Sequence, residues 1–426
     1  MLRTMPLRHV AEVRVSNVDK KSVEGEVAVR LCNYTDVYYS NVIRDDRDFM
    51  TATATQSQIE RFRLAIGDTI FTKDSETADD IATPAFVEGT ADDLVCGYHL
   101  AMLRPRVERV EPRFLAWAIR SDYCKEQFTV SATGVTRYGL KYEAMLGVAV
   151  PTPPLGTQRL IADFLDDQVS RIDEAVLLRG KQVAALEARL RVEEFNALRG
   201  SSVSGPRHCS SLEWLGELPG SWLVATVASQ FDVMLGKMLN DQRSRGDNLR
   251  PYPRNANVQW NRVDTAGLAE MDFPASDHKR YAVRAGDLLI CEGGQPGRAA
   301  IWDGRIGEMY YQKALHRARS RGRSIPRWLY YCLRVAVAQN VFASQGNQAT
   351  IAHLTGEQLG AQRFPFPEPD MQASIVAELD DATITTESAI AEMNAQVGLL
   401  EQRGHSLITA AVTGEFDVTT ASGRGL

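Results

Sequence analysis

Three runs of this chain hold the side chains best suited to contacting another molecule. "GKMLNDQRSRGDNLRPYPRNANVQW" (236–260) carries Lys237, Arg243, Arg245, Arg250 and Arg254 against only Asp241 and Asp247. Asn240, Asn255, Asn257, Gln259 and Trp260 lie among them. Arg, Asn and Gln have the donor and acceptor geometry of base edges, and Lys and Arg neutralise phosphates. "HRARSRGRSIPR" (316–327) adds five arginines, as a second basic run or a solvated hairpin loop. The amide-rich "SQGNQATIAHL" (344–354), with Asn347 and Gln348, has a counterpart in "SATGVTRYGLKYE" (131–143), with Arg137, Tyr138 and Lys141. "NYTDVYYSN" and "FTKDSETADD" supply Asn33, Tyr34, Tyr38, Tyr39 and Lys73, whose aromatics serve equally well as core.

Catalytic chemistry has no comparable signal. The chain has no GxxxxGK[ST] phosphate loop, no HExxH and no GxSxG. "EGGQPGRAA" (292–300), which holds Arg298, reads as a tight turn. Asp166-Asp167 and Asp380-Asp381 are paired carboxylates, but neighbours on a helix point to different faces. Near a helix start they favour the positive dipole end or a partner. Six scattered cysteines form no CxxC pair and read as reduced, packed thiols.

The elements that position these residues occur twice. "PTPPLGTQRLIADFLDDQV" begins at Pro151 and "PFPEPDMQASIVAELDDAT" at Pro365, aligned without a gap. "PRFLAWAIRS" (from Pro112) and "PRWLYYCLRV" (from Pro326) read as short amphipathic helices opened by proline. "GDTIF" and "GDLLIC" read as turns entering strands. A self-similar chain of this kind is built as two halves. Each half runs from short strands through a proline hinge, which marks a boundary, into a long helical pattern. In the first copy Leu165, Val169, Ile172, Val176, Arg179, Val183, Leu186, Leu190, Glu193 and Ala197 step by 4 and 3, a heptad seam. The second seam is strongest over Ile390, Met393, Val397 and Leu400. Such seams bury themselves against each other or a partner, or else each helix lies flat on its own domain. A helix of some 40 residues spans roughly 60 Å.

The length of 426 residues implies two or more domains, and 44% apolar with 24% charged residues is the balance of a soluble globular chain. There is no long apolar run and no apolar signal-peptide core, so a cytoplasmic location without membrane contact is expected. The net charge of −6 disfavours nucleic acid on average, while the basic residues are clustered.

These residues together resemble the DNA-specificity (S) subunit of type I restriction–modification systems. The resemblance rests on "VPTPPLGTQRLIADFLDD" and its copy, on "GDTIFTKDSETADDI", "GDLLICEGGQPGRAAIW" and "SLEWLGELPGSW", and on the C-terminal "LITAAVTGEFDV". It implies an α+β fold with an internal pseudo-repeat, in which two tandem target-recognition domains are separated by two long helices in an antiparallel coiled coil. The segments are a first recognition domain (1–155), a first spacer helix (156–199), a linker (200–212), a second recognition domain (213–369), a second spacer helix (370–417) and a tail (418–426). It implies a non-catalytic subunit that reads a bipartite target in double-stranded DNA and docks two methyltransferase subunits, joined by nuclease–translocase subunits. S-adenosylmethionine, ATP and Mg are then held by partners, and no cofactor by this chain. Loop position and residue type pick Asn33, Tyr34, Lys73, Arg137, Tyr138 and Lys141 for DNA contact in the first domain. In the second they pick Lys237, Arg254, Asn257, Gln259, Arg298, Asn347 and Gln348. Leu165, Val169, Ile172, Val176, Ile390, Met393, Val397 and Leu400 mark the docking helices. The competing reading is a duplicated protein–protein scaffold without DNA specificity, separated from the first by salt dependence.

Overall fold

A computed structural model describes residues 2–238, 246–342 and 353–419. The chain forms two compact units, Met1–Gly180 with Asn394–Leu426, and Lys181–Met393. These cut across the segments read from the sequence, because each long helix contributes to both units.

The first unit is built on a five-stranded sheet in the order Ala11–Val15, Leu100–Pro105, Thr69–Thr72, Pro84–Val87, Val42–Ile43. Its pairings are antiparallel except the last. The run "LAML" explains why the central strand is apolar throughout. Ala101 and Leu103 face one core with Phe71, Phe114 and Phe128, while Leu100 and Met102 face another with Ile70 and Leu31. A strand covered on both faces loses the polar alternation of a half-exposed one.

The second unit repeats this scheme with Phe231–Leu235, Leu315–Ser320, Leu288–Cys291 and Ala299–Ile301 in the same neighbour order. Leu288 and Ile290 face one core, Leu289 and Cys291 the other. The two GD turns behave alike. Gly67 and Gly286 take φ of 92° and 87°, a region open to glycine without a steric penalty. The next residue, Asp68 or Asp287, accepts a backbone N–H from Ala65 or Arg284 and forms a two-point pair with Arg104 or Arg319.

Helices Pro112–Arg120 and Pro326–Ala338 carry proline in the first turn, where its missing N–H costs nothing. The proline hinges are short edge strands, Ala149–Pro151 on Thr4–Pro6 and Arg363–Phe366 on Leu223–Thr226. Long helices follow, Leu155–Leu198 and Pro369–Thr413. All ten seam positions of the first helix, and Ile390, Met393, Val397 and Leu400 of the second, are buried or half-buried. In the first unit Ile161, Leu165 and Val169 share a core with Ile408, Ala411 and Val412, so the start of one helix lies on the end of the other. In the second unit Leu198 meets Ile375, Val376 and Leu379 in the same antiparallel sense. Each helix also packs on the sheet unit beside it, so both alternatives for burying the seam hold together.

The Gly/Ser/Pro segment after the first long helix carries structure. Gly200 ends that helix at φ 61°, with the Pro219 ring 2.6 Å from where a Cβ would stand. Arg207–Cys209 then pairs with Glu217–Pro219, and Leu212, Leu215, Leu218 and Trp222 enter the core. Among the described residues no helix is long and apolar enough to cross a membrane.

The repeated glutamine of the hinge is a staple. Gln158 is 1% exposed; its Oε1 accepts from Glu111 N at 2.8 Å and its Nε2 donates to Pro153 O and Arg109 O. Gln372, fully buried, accepts from Ile325 N at 3.0 Å and donates to Pro367 O and Ser324 Oγ. Gln372→Leu strands the Ile325 N–H and is expected to destabilise the second unit by about 1–3 kcal/mol, the cost of an unmet buried donor. Urea unfolding followed by tryptophan fluorescence checks this, and a midpoint unchanged from the parent protein contradicts it.

Candidate nucleic-acid interface

In the first unit the sequence-predicted residues converge. Asn33 caps helix Tyr34–Tyr38, its backbone N–H bonded to Asp36 Oδ2 at 2.7 Å. That helix presents Tyr34 stacked on Tyr38, with ring centroids 5.3 Å apart, and Tyr39 standing 80% exposed. Lys73 follows the strand Thr69–Thr72, and Tyr138–Gly139 pairs with Asp74–Ser75, so two runs far apart in sequence become one ribbon. Asp74 is its electrostatic centre, 2.5 Å from Arg137 Nη2, 2.7 Å from His99 Nδ1 and 3.7 Å from Lys73 Nζ. Arg137 keeps 55% of its side chain exposed. Lys141 is exposed at the start of helix Tyr142–Gly147. Sequence reasoning missed His99 and Asp74. The available signal was "GYHL" at the mouth of a buried strand, where a histidine must find a partner.

The aromatic group is tuned by its surroundings. Tyr38 Oη donates to Asp80 Oδ2 at 2.7 Å, and this bond, with smaller help from burial, pushes its ionisation up to about 12. Burial raises Tyr34 as well. Both therefore stay neutral donors at physiological pH.

In the second unit Arg254, Asn257 and Gln259 lie on or beside the turn Asn255–Asn257, against the hairpin turn that carries Arg298. Arg298 Nη2 donates to Asn255 O at 2.9 Å, and Asn255 Nδ2 to Gly293 O at 2.6 Å, so turn and hairpin form one piece. Arg254 is exposed and Gln259 half-buried. Arg298 Nε and Asn255 Oδ1 are buried with no hydrogen-bond partner among the described residues.

The structure corrects several assignments. Lys237 is buried, 2.6 Å from Asp277 Oδ2, bonded to Asp272 O and 5.1 Å above the Phe273 ring, so its charge is spent internally. Asn257 is 8% exposed and holds its own turn, accepting from Arg254 N and donating to Asp264 O. The arginine run 316–327 is largely the strand Leu315–Ser320 and the start of the next helix. Arg317 pairs with Asp232, Arg319 with Asp287 and Arg327 with Asp380. The docking residues Leu165, Val169, Ile172, Val176, Ile390, Met393, Val397 and Leu400 are buried or half-buried on the helix seam. The outward apolar residues of the two helices are instead Leu160, Leu177, Leu178, Val192, Met371, Ile384 and Leu399. Asn347 and Gln348 lie outside the described residues, as do Asn240, Asp241, Arg243 and Arg245.

The recurring aspartates are ligands of the same chain. Asp166 accepts from Arg113 Nη1 and Trp117 Nε1, both at 2.7 Å. Asp380 accepts from Arg327 Nε at 2.7 Å and Tyr331 Oη at 2.6 Å. Burial works against the Arg113 charge, but Asp163, Glu111 and Asp166 outweigh it and hold the guanidinium above its ordinary range. Burial raises Cys32, Cys96, Cys124, Cys291 and Cys332, keeping these thiols protonated. Among the described residues no group of three or more His, Cys, Asp or Glu is placed to hold a metal ion.

This architecture, a duplicated α+β sheet unit followed each time by a long helix, is shared with solved chains of type I restriction–modification systems. A chain from a study titled "Structural basis underlying complex assembly and conformational transition of the type I R-M system" superposes with a TM-score of 0.73 at 18% identity, covering 97% of this chain and 98% of that one. The HsdS subunit of Thermoanaerobacter tengcongensis gives a TM-score of 0.54 at 18% identity, covering 97% of each. In sequence the chain is similar to the Escherichia coli K12 "Type I restriction enzyme EcoKI specificity subunit", 20% identical over 333 residues, which are 75% of this chain and 68% of that protein. It is also similar to the Methanocaldococcus jannaschii "Putative type I restriction enzyme MjaX specificity subunit", 26% identical over 185 residues. That match spans 43% of this chain and less than half, 42%, of the relative. No family model matches. The resemblance to type I specificity subunits therefore stands on both sequence and fold.

A raised tyrosine in the native protein favours the neutral form. Tyr38 thus adds stability that is present below pH 10 and is lost as pH rises through about 12. Asp80→Asn is expected to return Tyr38 toward ordinary tyrosine behaviour. Ultraviolet difference titration of the parent protein and the variant checks this, and identical phenolate curves contradict it.

Proposed function

We propose that this chain is the non-catalytic DNA-specificity subunit of a type I restriction–modification complex. The observation that carries the reading is the duplication. Two units share sheet order, GD turn, proline-started helix, glutamine staple and carboxylate lock, and each leads into its own long helix. Duplicated readers suit a target in two parts, with the helices as the ruler for the gap. Sequence is read by side chains at base edges, at about 1–3 kcal/mol of discrimination per two-point contact. Tyr34, Lys73, Arg137, Tyr138 and Lys141, supported by Asn33, are the reading surface of the first unit. Arg254, Gln259 and Arg298 are that of the second.

Two methyltransferase subunits dock on the outward helix faces, and nuclease–translocase subunits join them. S-adenosylmethionine, ATP and Mg belong to those partners. Methylating an adenine requires flipping it from the stack, and this chain positions the partner that does so. The acidic balance of the whole chain is compatible with DNA, because phosphate neutralisation is shared across the complex.

The test is modification-detecting sequencing of DNA from cells that express the chain with its neighbouring methyltransferase subunit. A new split motif with methylated adenine in both halves, absent when the methyltransferase is expressed alone, is the expected result. No new motif, together with salt-independent DNA binding by the purified complex, defeats the reading in favour of a scaffold. Within the complex, Arg254→Ala is expected to weaken binding to the target by about 1–3 kcal/mol. Asn257→Ala is expected to lower thermal stability instead. Fluorescence anisotropy and calorimetry separate the two, and the reverse pattern removes the assignment of Arg254.

A further inference from the structure

The two copies differ at one place where the first is hollow and the second is filled. Helices Pro112–Arg120 and Pro326–Ala338 match residue for residue at their start, so Arg113 corresponds to Arg327, Ala116 to Tyr330, Trp117 to Tyr331 and Arg120 to Arg334. In the second unit Tyr330 is fully buried. Its ring carries the Arg327 guanidinium 4.4 Å from its centroid and meets Trp260 edge-on at 5.7 Å. Its hydroxyl accepts from Arg334 Nη1 at 3.1 Å.

In the first unit alanine stands at that position, and the ring is missing. What remains is a recess of about 70 Å³, partly open to solvent. Pro84, Phe86 and Trp117 give it flat apolar walls, and Arg113, Arg120, Asn41 and Glu88 give it polar ones. The strand register supports the equivalence, since Phe86 pairs with Thr69 as Ile301 pairs with Leu288, one residue after each GD turn. Both guanidiniums that hold the Tyr330 ring in the second unit thus have counterparts lining an unfilled space in the first. Arg120 gives Nη2 to Pro84 O at 2.7 Å and lies 5.5 Å above the Trp117 ring. Burial lowers its ionisation to about 10, with Asp173 opposing, so it is charged at neutral pH.

We propose that this recess is a binding site for a small planar aromatic molecule bearing one hydrogen-bond-accepting oxygen, of the phenol class. The ring lies between Trp117 and the Arg113 guanidinium, and Arg120 donates to the oxygen, as Arg334 does to the Tyr330 hydroxyl. Cation–π contact and ring packing favour a flat π face over an aliphatic ring of equal size. The site borders the Arg113–Asp166 lock, so its occupant touches the joint between the recognition unit and its helix.

The probe is phenol, with cyclohexanol as the aliphatic control, added to the full-length chain. Saturation-transfer NMR is expected to show saturable phenol binding with one equivalent bound, at least about tenfold tighter than cyclohexanol. Ala116→Tyr places the missing ring in the recess and is expected to abolish phenol binding while raising the melting temperature. Ala116→Leu, which fills less, is expected to weaken binding without abolishing it. The proposal is overturned by absence of saturable phenol binding to the parent protein, by equal affinity for cyclohexanol, or by undiminished binding in a folded Ala116 variant. The parent-protein measurement decides even where a variant fails to fold.

Discussion

In each unit a carboxylate on the long helix takes two donors from the helix that begins with proline. Asp166 is held by Arg113 and Trp117, Asp380 by Arg327 and Tyr331. A few residues upstream a buried glutamine closes the backbone of that same proline-started helix. The attachment of each sheet unit to its long helix rests on this joint. A sheet unit without this joint could swivel on its helix. Charge-assisted bonds to a partly buried carboxylate are roughly twice as strong as neutral ones, and their geometry is directional. The glutamine adds specificity, since only an amide supplies an acceptor and two donors at one buried point.

The sheet units solve a different problem. Their central strands are covered on both faces, so their own residues cannot reach a ligand. The side chains free to meet another molecule are left at the strand mouths and the connecting turns, where they can vary without disturbing the core. In the first unit this produces a polar ribbon centred on Asp74, with a tyrosine pair beside it. In the second it produces a rigid turn pinned by Arg298 and Asn255. The two surfaces differ in their partners, a carboxylate-centred ribbon in one unit and a backbone-pinned turn in the other.

The duplication also works as an internal comparison. At Gln158 and Gln372 both copies keep the residue and its role. Where they part, as at Ala116 and Tyr330, the difference is local and physical, a ring present or absent in an otherwise matching frame.

The amino-acid order by itself determined the doubled architecture, the proline-started helices, the GD turns and the heptad seams. Those depend on local rules: backbone restriction at proline and glycine, and the period of apolar residues along a helix or strand. Their local character is why the fold was legible. The state of each charged side chain was not. Arg317 and Arg319 read as part of a basic run, yet Asp232 and Asp287, which neutralise them, lie 85 and 32 residues away in the chain. Lys237 looked free for the same reason, and Asp277 claims it. The seam period announced burial without naming the partner, and Leu165 and Val169 find theirs in Ile408, Ala411 and Val412, more than 200 residues along the chain. Tertiary structure alone decided which polar groups face outward, because pairing is set by distance in space, and the sequence records only distance along the chain.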